Sequence, residues 1–122
     1  MKKVLLIEDD RFSRSILETT LKNECELILL EEGSNAIDSI ASQQPDLVLL
    51  DLILPGKDGF DILKELKEKE ETKNIPIIVI SNLGQDEEIE RAKELGAEDY
   101  FIKANTDIHE LANVVKNFFD AN

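Results

Sequence analysis

The stretch LLDLILPGKDG, residues 49–59, decides the fold. With Leu47 and Val48 in front of it, the chain is continuously apolar up to a single carboxylate, Asp51. It then breaks at Pro55-Gly56 and again at Asp58-Gly59. An apolar run without polar alternation predicts a strand covered on both faces, as in a parallel sheet between two helical layers. The acid at its end needs either a charged partner or a chemical task.

Working outward, similar runs lie at residues 4–7, 27–30, 75–80 (around Pro76) and 100–102. Helical spacing fills the intervals between them. Phe12, Ile16, Leu17, Thr20 and Leu21 form a first stripe, and Ile37, Ile40 and Ala41 a second. Ile62, Leu63 and Leu66 make a third, with Asp58 placed as its N-cap. Ile89, Ala92 and Leu95 make a thin fourth that Gly96 closes, and Ile108, Leu111, Ala112, Val115, Phe118 and Phe119 make the fifth. The charged run 64–73 is mixed in sign and reads as a solvated helix end. Five strand–helix pairs in alternation predict one α/β domain over residues 1–122, a doubly wound parallel sheet with right-handed crossovers.

Composition narrows the function. The chain has 27 acidic and 14 basic residues, a formal net charge of -13, which disfavours nucleic acid or an anionic membrane as a direct partner. The N-terminal apolar run is cut by Glu8 too early for a signal peptide, and no run approaches the ~20 residues of a membrane span. Cys25 is the single cysteine, so no intrachain disulfide forms. These features together predict a cytoplasmic, soluble protein without membrane insertion.

In an open α/β sheet, ligands bind beyond the carboxyl ends of the strands. There the sequence places Glu8, Asp9 and Asp10 after strand one, Asp51 after strand three, Ser81 and Asn82 after strand four, and Lys103 after strand five. Glu8, Asp9 and Asp51 converge. Two carboxylates roughly 5 Å apart repel by about 3 kcal/mol at an effective dielectric of ~20. A hard divalent cation such as Mg2+ relieves that repulsion, while Lys103 balances only one of the acids. A carboxylate beside Mg2+, a hydroxyl and a lysine suits phosphoryl transfer onto Asp51 itself.

With LLIEDD (5–10), LLDLILPGKDG (49–59), VIS (79–81) and GAEDYFIK (96–103) at their spacing, the chain resembles the receiver domains of two-component response regulators over essentially its whole length. The resemblance implies a flavodoxin-like (βα)5 fold of strand order 2-1-3-4-5. It implies a phosphoprotein of phosphorelay signal transduction, with Asp51 the phosphoacceptor served by a sensor histidine kinase or a phosphotransfer protein. Asp9, Asp51 and the backbone carbonyl of Ile53 would hold Mg2+ directly and Glu8 through water. Ser81 and Lys103 would bind the phosphoryl group, and Ser81 with Tyr100 would form the switch. That switch would reshape the face of the fourth helix, fifth strand and fifth helix toward a protein output partner, leaving dimerisation open. Such a domain is a signalling phosphoacceptor and not an enzyme, although it assists its own phosphorylation and dephosphorylation. The acidic fourth helix (Glu87, Glu88, Glu90, Glu94) also points to a protein partner.

Two positions depart from the family pattern. Ala104 stands where a proline in a cis peptide usually follows the lysine, so a trans Lys103–Ala104 bond and a rearranged loop are expected. Ile53 and Leu83 put apolar side chains at the pocket mouth, which predicts slow self-dephosphorylation. His109 reads as solvated, Cys25 as small apolar packing near strand two, and Phe118 and Phe119 as anchors of the last helix. A metal-dependent phosphatase with an aspartyl nucleophile is disfavoured by Ile53, where such enzymes carry a second acid. A pseudo-receiver that binds partners without phosphorylation is disfavoured by the complete acid, serine and lysine set.

Overall fold

The computed structural model describes residues 1–105 and 107–121. Strands β1 (Lys3–Ile7), β2 (Glu26–Leu30), β3 (Leu47–Leu50), β4 (Ile77–Ser81) and β5 (Asp99–Ile102) form one parallel sheet in the order β2-β1-β3-β4-β5. Helices α1 (Arg11–Leu21), α2 (Ala36–Gln43), α3 (Gly59–Glu68), α4 (Asp86–Glu94) and α5 (Leu111–Ala121) connect and cover it. This is the doubly wound α/β fold expected from the alternation of runs and stripes, in the flavodoxin-like strand order that the family resemblance implies.

Each central strand sends alternate side chains to opposite faces, and each face is dry. Leu5, Ile7, Val48, Leu50, Ile77 and Val79 pack against α2 and α3, with Ala92 of α4 in the same layer. Val4, Leu6, Leu47, Leu49, Ile78 and Ile80 pack against Leu17 and Leu21 of α1 and Leu111 and Val115 of α5. Two covered faces are the reason these strands lack polar alternation.

The first helical stripe needs correction. Phe12 is 72 % exposed, and the buried face of α1 is Ser13, Leu17 and Leu21, with Ile16 and Thr20 at its margin. Asp10 starts α1 as N-cap, accepting bonds from the Ser13 amide and hydroxyl, and this places Phe12 on the turn facing away from the sheet. The bond from the Ser13 hydroxyl, ahead of that from its amide, holds the Asp10 carboxyl below its ordinary pKa.

The remaining helix signals match their expected positions. Asp58 caps α3 by accepting from the Phe60 amide, and Gly96 follows the end of α4 at φ +111°. Phe118 and Phe119 are half-buried and meet edge to face, while Cys25 is buried against the Leu21 carbonyl and His109 is exposed. The side chain of Ile108, counted in the fifth stripe, lies outside the described residues.

The charged run 64–73 is only partly a solvated surface. Lys67 reaches back to the carbonyls of Lys73 and Ile75, and Thr72 is buried with its hydroxyl donating to Leu66. Burial holds the Lys67 ammonium below its usual pKa, with the charge of Glu98 opposing that shift. These contacts fold the chain from the end of α3 into β4.

Candidate phosphoacceptor and cation site

Register brings the acids together. Ile7 pairs with Leu50, and Leu50 with Val79, so Glu8 and Asp51 leave adjacent strands at the same level. The Asp51 amide donates to the Ile7 carbonyl at 3.1 Å, carrying the ladder one residue beyond the strand. Ser81 pairs with Ile102, which places Lys103 one residue beyond it at the far side of the edge.

From there the Lys103 side chain crosses to the acids. Its Nζ donates to Glu8 Oε1 at 2.7 Å and to Asp51 Oδ2 at 3.0 Å. Glu8 Oε2 also stands 2.7 Å from the ammonium, so both oxygens of this buried carboxylate face Lys103. Asp51 Oδ1 accepts from the Ile53 amide at 3.1 Å. Glu8, Asp51 and Ser81 are buried, whereas Asp9 is exposed.

The charges do not balance. Two carboxylates share one ammonium with the exposed Asp9 close by, and the Glu8 carboxyl is pushed up to about 7. Burial is the main cause and the charge of Asp51 adds to it, while the bond from Lys103 and its charge oppose the shift. Burial also works against the Lys103 ammonium, but the bond it donates to Glu8 and the charge of Asp51 outweigh it, so Lys103 titrates above its ordinary value.

Glu8, Asp9 and Asp51 each offer an oxygen within 4.8 Å of the others. The set contains only oxygen and carries excess negative charge. Those properties fit a hard cation of the Mg2+ type. Residues 4–116 match the family model of the response regulator receiver domain. The chain belongs to this family.

Solved receiver structures agree over nearly the full chain. The Mn2+-bound form of response regulator Rcp1 is 29 % identical with a TM-score of 0.84, covering 98 % of this chain and 94 % of that one. The phosphorylated cyanobacterial phytochrome response regulator RcpA is 29 % identical at TM-score 0.81, with 96 % and 90 % covered. The receiver domain of the Francisella response regulator 1452 is 25 % identical at TM-score 0.88, with 99 % and 98 % covered. This chain is therefore the receiver domain of a two-component response regulator, a signalling module whose family is phosphorylated on aspartate and binds Mg2+ at an acidic pocket. Among the described residues, no helix is long and apolar enough to cross a membrane.

The other residues expected at the site lie on β4, on β5 and in the segments beside them. Ser81 Oγ accepts from the Leu83 amide at 3.3 Å. Tyr100 is turned inward and buried, its hydroxyl donating to the Leu83 carbonyl. Burial first, then the charge of Glu88, raises the Tyr100 pKa, and a bond with Ser81 opposes that rise. Lys103–Ala104 is trans, and a 3-10 turn over Lys103–Asn105 replaces the usual cis-proline corner. Ile53 is 54 % exposed and Leu83 half-buried.

The sequence places Asp10 only as a polar residue near the first helix N-terminus, and it does not place Arg14 at the site at all. Asp10 caps α1 and thereby sets the direction in which the chain leaves Asp9. Arg14, on the next turn, donates from Nη1 to the Glu8 carbonyl at 3.2 Å. Asp10 had a visible signal in Ser13 three residues later. Arg14 had none, since helical periodicity does not say which exposed cation faces a strand end.

Proposed function

We propose that the domain takes a phosphoryl group onto Asp51 from a phosphohistidine donor, either a sensor kinase or a phosphotransfer protein, and so controls a protein output partner. The observation that carries this reading is the Lys103 ammonium bonded to both Asp51 and Glu8, with the Asp9 carboxylate in the same cluster. A lone strand-end acid is an ordinary feature. A buried acid sharing a lysine with a second acid, at the sheet edge where ligands bind, is a reaction site.

Asp51 is the nucleophile. A carboxylate oxygen forms a P–O bond as the P–N bond to the donor imidazole breaks, and the bonding pair returns to the imidazole nitrogen. The Ile53 amide and Lys103 hold the carboxylate from two sides and fix its direction of attack. Asp9, Asp51 and the Ile53 carbonyl would hold Mg2+, with Glu8 acting through water. When bound, that ion neutralises charge on the phosphoryl oxygens. Lys103 and the Ser81 hydroxyl supply donors to those oxygens.

The output step uses the Ser81–Leu83–Tyr100 connection. A phosphoryl group that draws the Ser81 hydroxyl toward it changes the contacts made by the Leu83 amide and by Tyr100, at the border of α4 and β5. The exposed acids of α4 then offer a surface suited to a basic protein partner.

Incubation with acetyl phosphate and Mg2+, followed by intact-mass measurement, tests the reading. Uptake of one phosphoryl group is expected. No uptake would favour the pseudo-receiver that binds partners without phosphorylation.

The apolar mouth sets a second expected result. Neither Ile53 nor Leu83 offers a group to hold an attacking water, so the aspartyl phosphate is long-lived. Replacing the pair with Asn and Gln is expected to speed its loss by about tenfold, below the ~10²–10⁴ that positioned acid–base groups contribute. An unchanged decay of the phosphorylated mass would show that these side chains only pad the surface.

A further inference from the structure

The end of β2 supplies no ligand to the site, lies at the sheet edge and is largely exposed, yet both arms of the cation site lean on it. We infer that residues 31–34 brace this site and that Arg14, Glu31 and Gly33 are positioning residues for it. The inference rests on the reading of the acid cluster as a Mg2+ site.

The first arm is the acid pair. The carbonyl that accepts from Arg14 belongs to the peptide joining Glu8 to Asp9. Because a peptide is planar, holding that oxygen fixes the direction in which Asp9 leaves the strand. Arg14 is held in turn by Glu31, whose Oε1 lies 3.3 Å from Nη2. The Arg14 side chain is 16 % exposed and that of Glu31 74 %, so the ion pair alone contributes little to stability. Its consequence is geometric: one planar fork spans the ends of β1 and β2.

The second arm is the loop 52–58, which presents the Ile53 carbonyl. Within itself the loop is tied by Lys57 to Pro55 and by Gly59 to Leu52. Its backbone bond to another loop, among the described residues, comes from the Gly33 amide to the Pro55 carbonyl at 3.2 Å. The two loops touch there without room for a side chain. A Cβ on Gly33 would stand 2.5 Å from the Lys57 carbonyl oxygen and 2.8 Å from Ile62 Cδ1. Gly56 answers from the other side at φ +85°, where a Cβ would meet Ser34 Oγ at 2.3 Å. An alanine at Gly33 therefore pushes directly on the loop that carries Ile53.

Charge and position predict opposite signs, which makes the inference testable. Removing the positive charge of Arg14 near an acidic pocket would, by electrostatics alone, tighten Mg2+ binding. Loss of the brace weakens it. We expect Arg14→Gln and Gly33→Ala each to raise the Mg2+ dissociation constant by roughly tenfold, the low end of the effect of outer-shell partners. The constant is read from amide shifts during a Mg2+ titration of the full chain. In metal-free protein the same variants should speed hydrogen exchange at the Asp10 and Ile53 amides, which bond to Glu8 and Asp51. Equal or tighter Mg2+ binding in either folded variant overturns the brace. If Gly33→Ala does not fold, Arg14→Gln decides alone, and Arg14→Lys should recover only part of the affinity because it keeps the charge but loses the fork. If the parent protein itself binds no Mg2+, the metal-site reading fails and the exchange rates decide: unchanged rates in the variants overturn the brace as well.

Discussion

Asp51→Asn is expected to abolish phosphoryl uptake from acetyl phosphate while leaving the domain folded and more stable in EDTA. The loss of uptake follows from chemistry, since an amide oxygen is too poor a nucleophile to displace the donor. The stability follows from the pocket. The substituted side chain keeps an oxygen to accept from the Ile53 amide, and it removes one of the charges that raise the Glu8 pKa. Lys103 then pairs with Glu8 alone, a balanced buried pair in place of one ammonium between two acids. Intact mass after acetyl phosphate treatment and thermal unfolding in EDTA read the two effects separately. Full uptake by the variant would move the acceptor elsewhere on the chain. A lower melting temperature in EDTA would show that the Asp51 charge is already compensated in the metal-free protein.

Lys103→Ala has the opposite effect on stability. It leaves Glu8 and Asp51 buried without their cation, and removing one partner of a buried pair typically costs about 3 kcal/mol or more. Here the loss depends on both pH and metal. Glu8 titrates near 7 in the folded protein against an ordinary 4.5, so the folded state holds its proton more tightly than the unfolded chain. By linkage, the contribution of Glu8 is fully present below its unfolded pKa and is lost as pH rises through the folded value. In metal-free parent protein this term lowers stability between pH 4.5 and about 7. The Lys103 term is complete at neutral pH and fades only in alkali, because its folded pKa lies above the ordinary value. Removing the lysine also removes what opposed the Glu8 shift, so the Lys103→Ala deficit should shrink at pH 5 and grow at pH 8. At a Mg2+ concentration a hundredfold above the variant's dissociation constant the variant should gain about 2.7 kcal/mol over EDTA, and more than the parent gains, because in the parent Lys103 already occupies the carboxylates that would meet the ion. Denaturant unfolding at pH 5 and pH 8, with EDTA or Mg2+, tests each point. A deficit unaffected by pH and metal would mean that the loss is one of packing.

The family pattern of the site was legible because its residues sit at strand ends, where a one-dimensional reading already gives depth along the sheet. Once 47–50 reads as a strand covered on both faces, Asp51 must stand at its carboxyl end, and the same holds for Glu8, Ser81 and Lys103. The α1 stripe was misread because helical periodicity does not distinguish a buried Phe12 from an exposed one at the first turn. The Asp10 cap sets that rotation, and Ser13 instead of Phe12 faces inward.

The sequence alone determined the layering of this protein and the inventory of its acidic pocket, because burial on both faces and position at a strand end are properties of runs and their limits. Only the tertiary structure decided how the charges are shared: Lys103 bonds to both Glu8 and Asp51, and Tyr100 is packed inward. It also decided that Arg14 reaches the Glu8 carbonyl and that the Gly33 amide reaches the Pro55 carbonyl, the contacts through which an edge strand without a ligand meets the site. The physical reason is reach. A side chain several ångströms long, or a backbone amide in a neighbouring loop, finds its partner through strand order and register, and neither is written in the local pattern of residues.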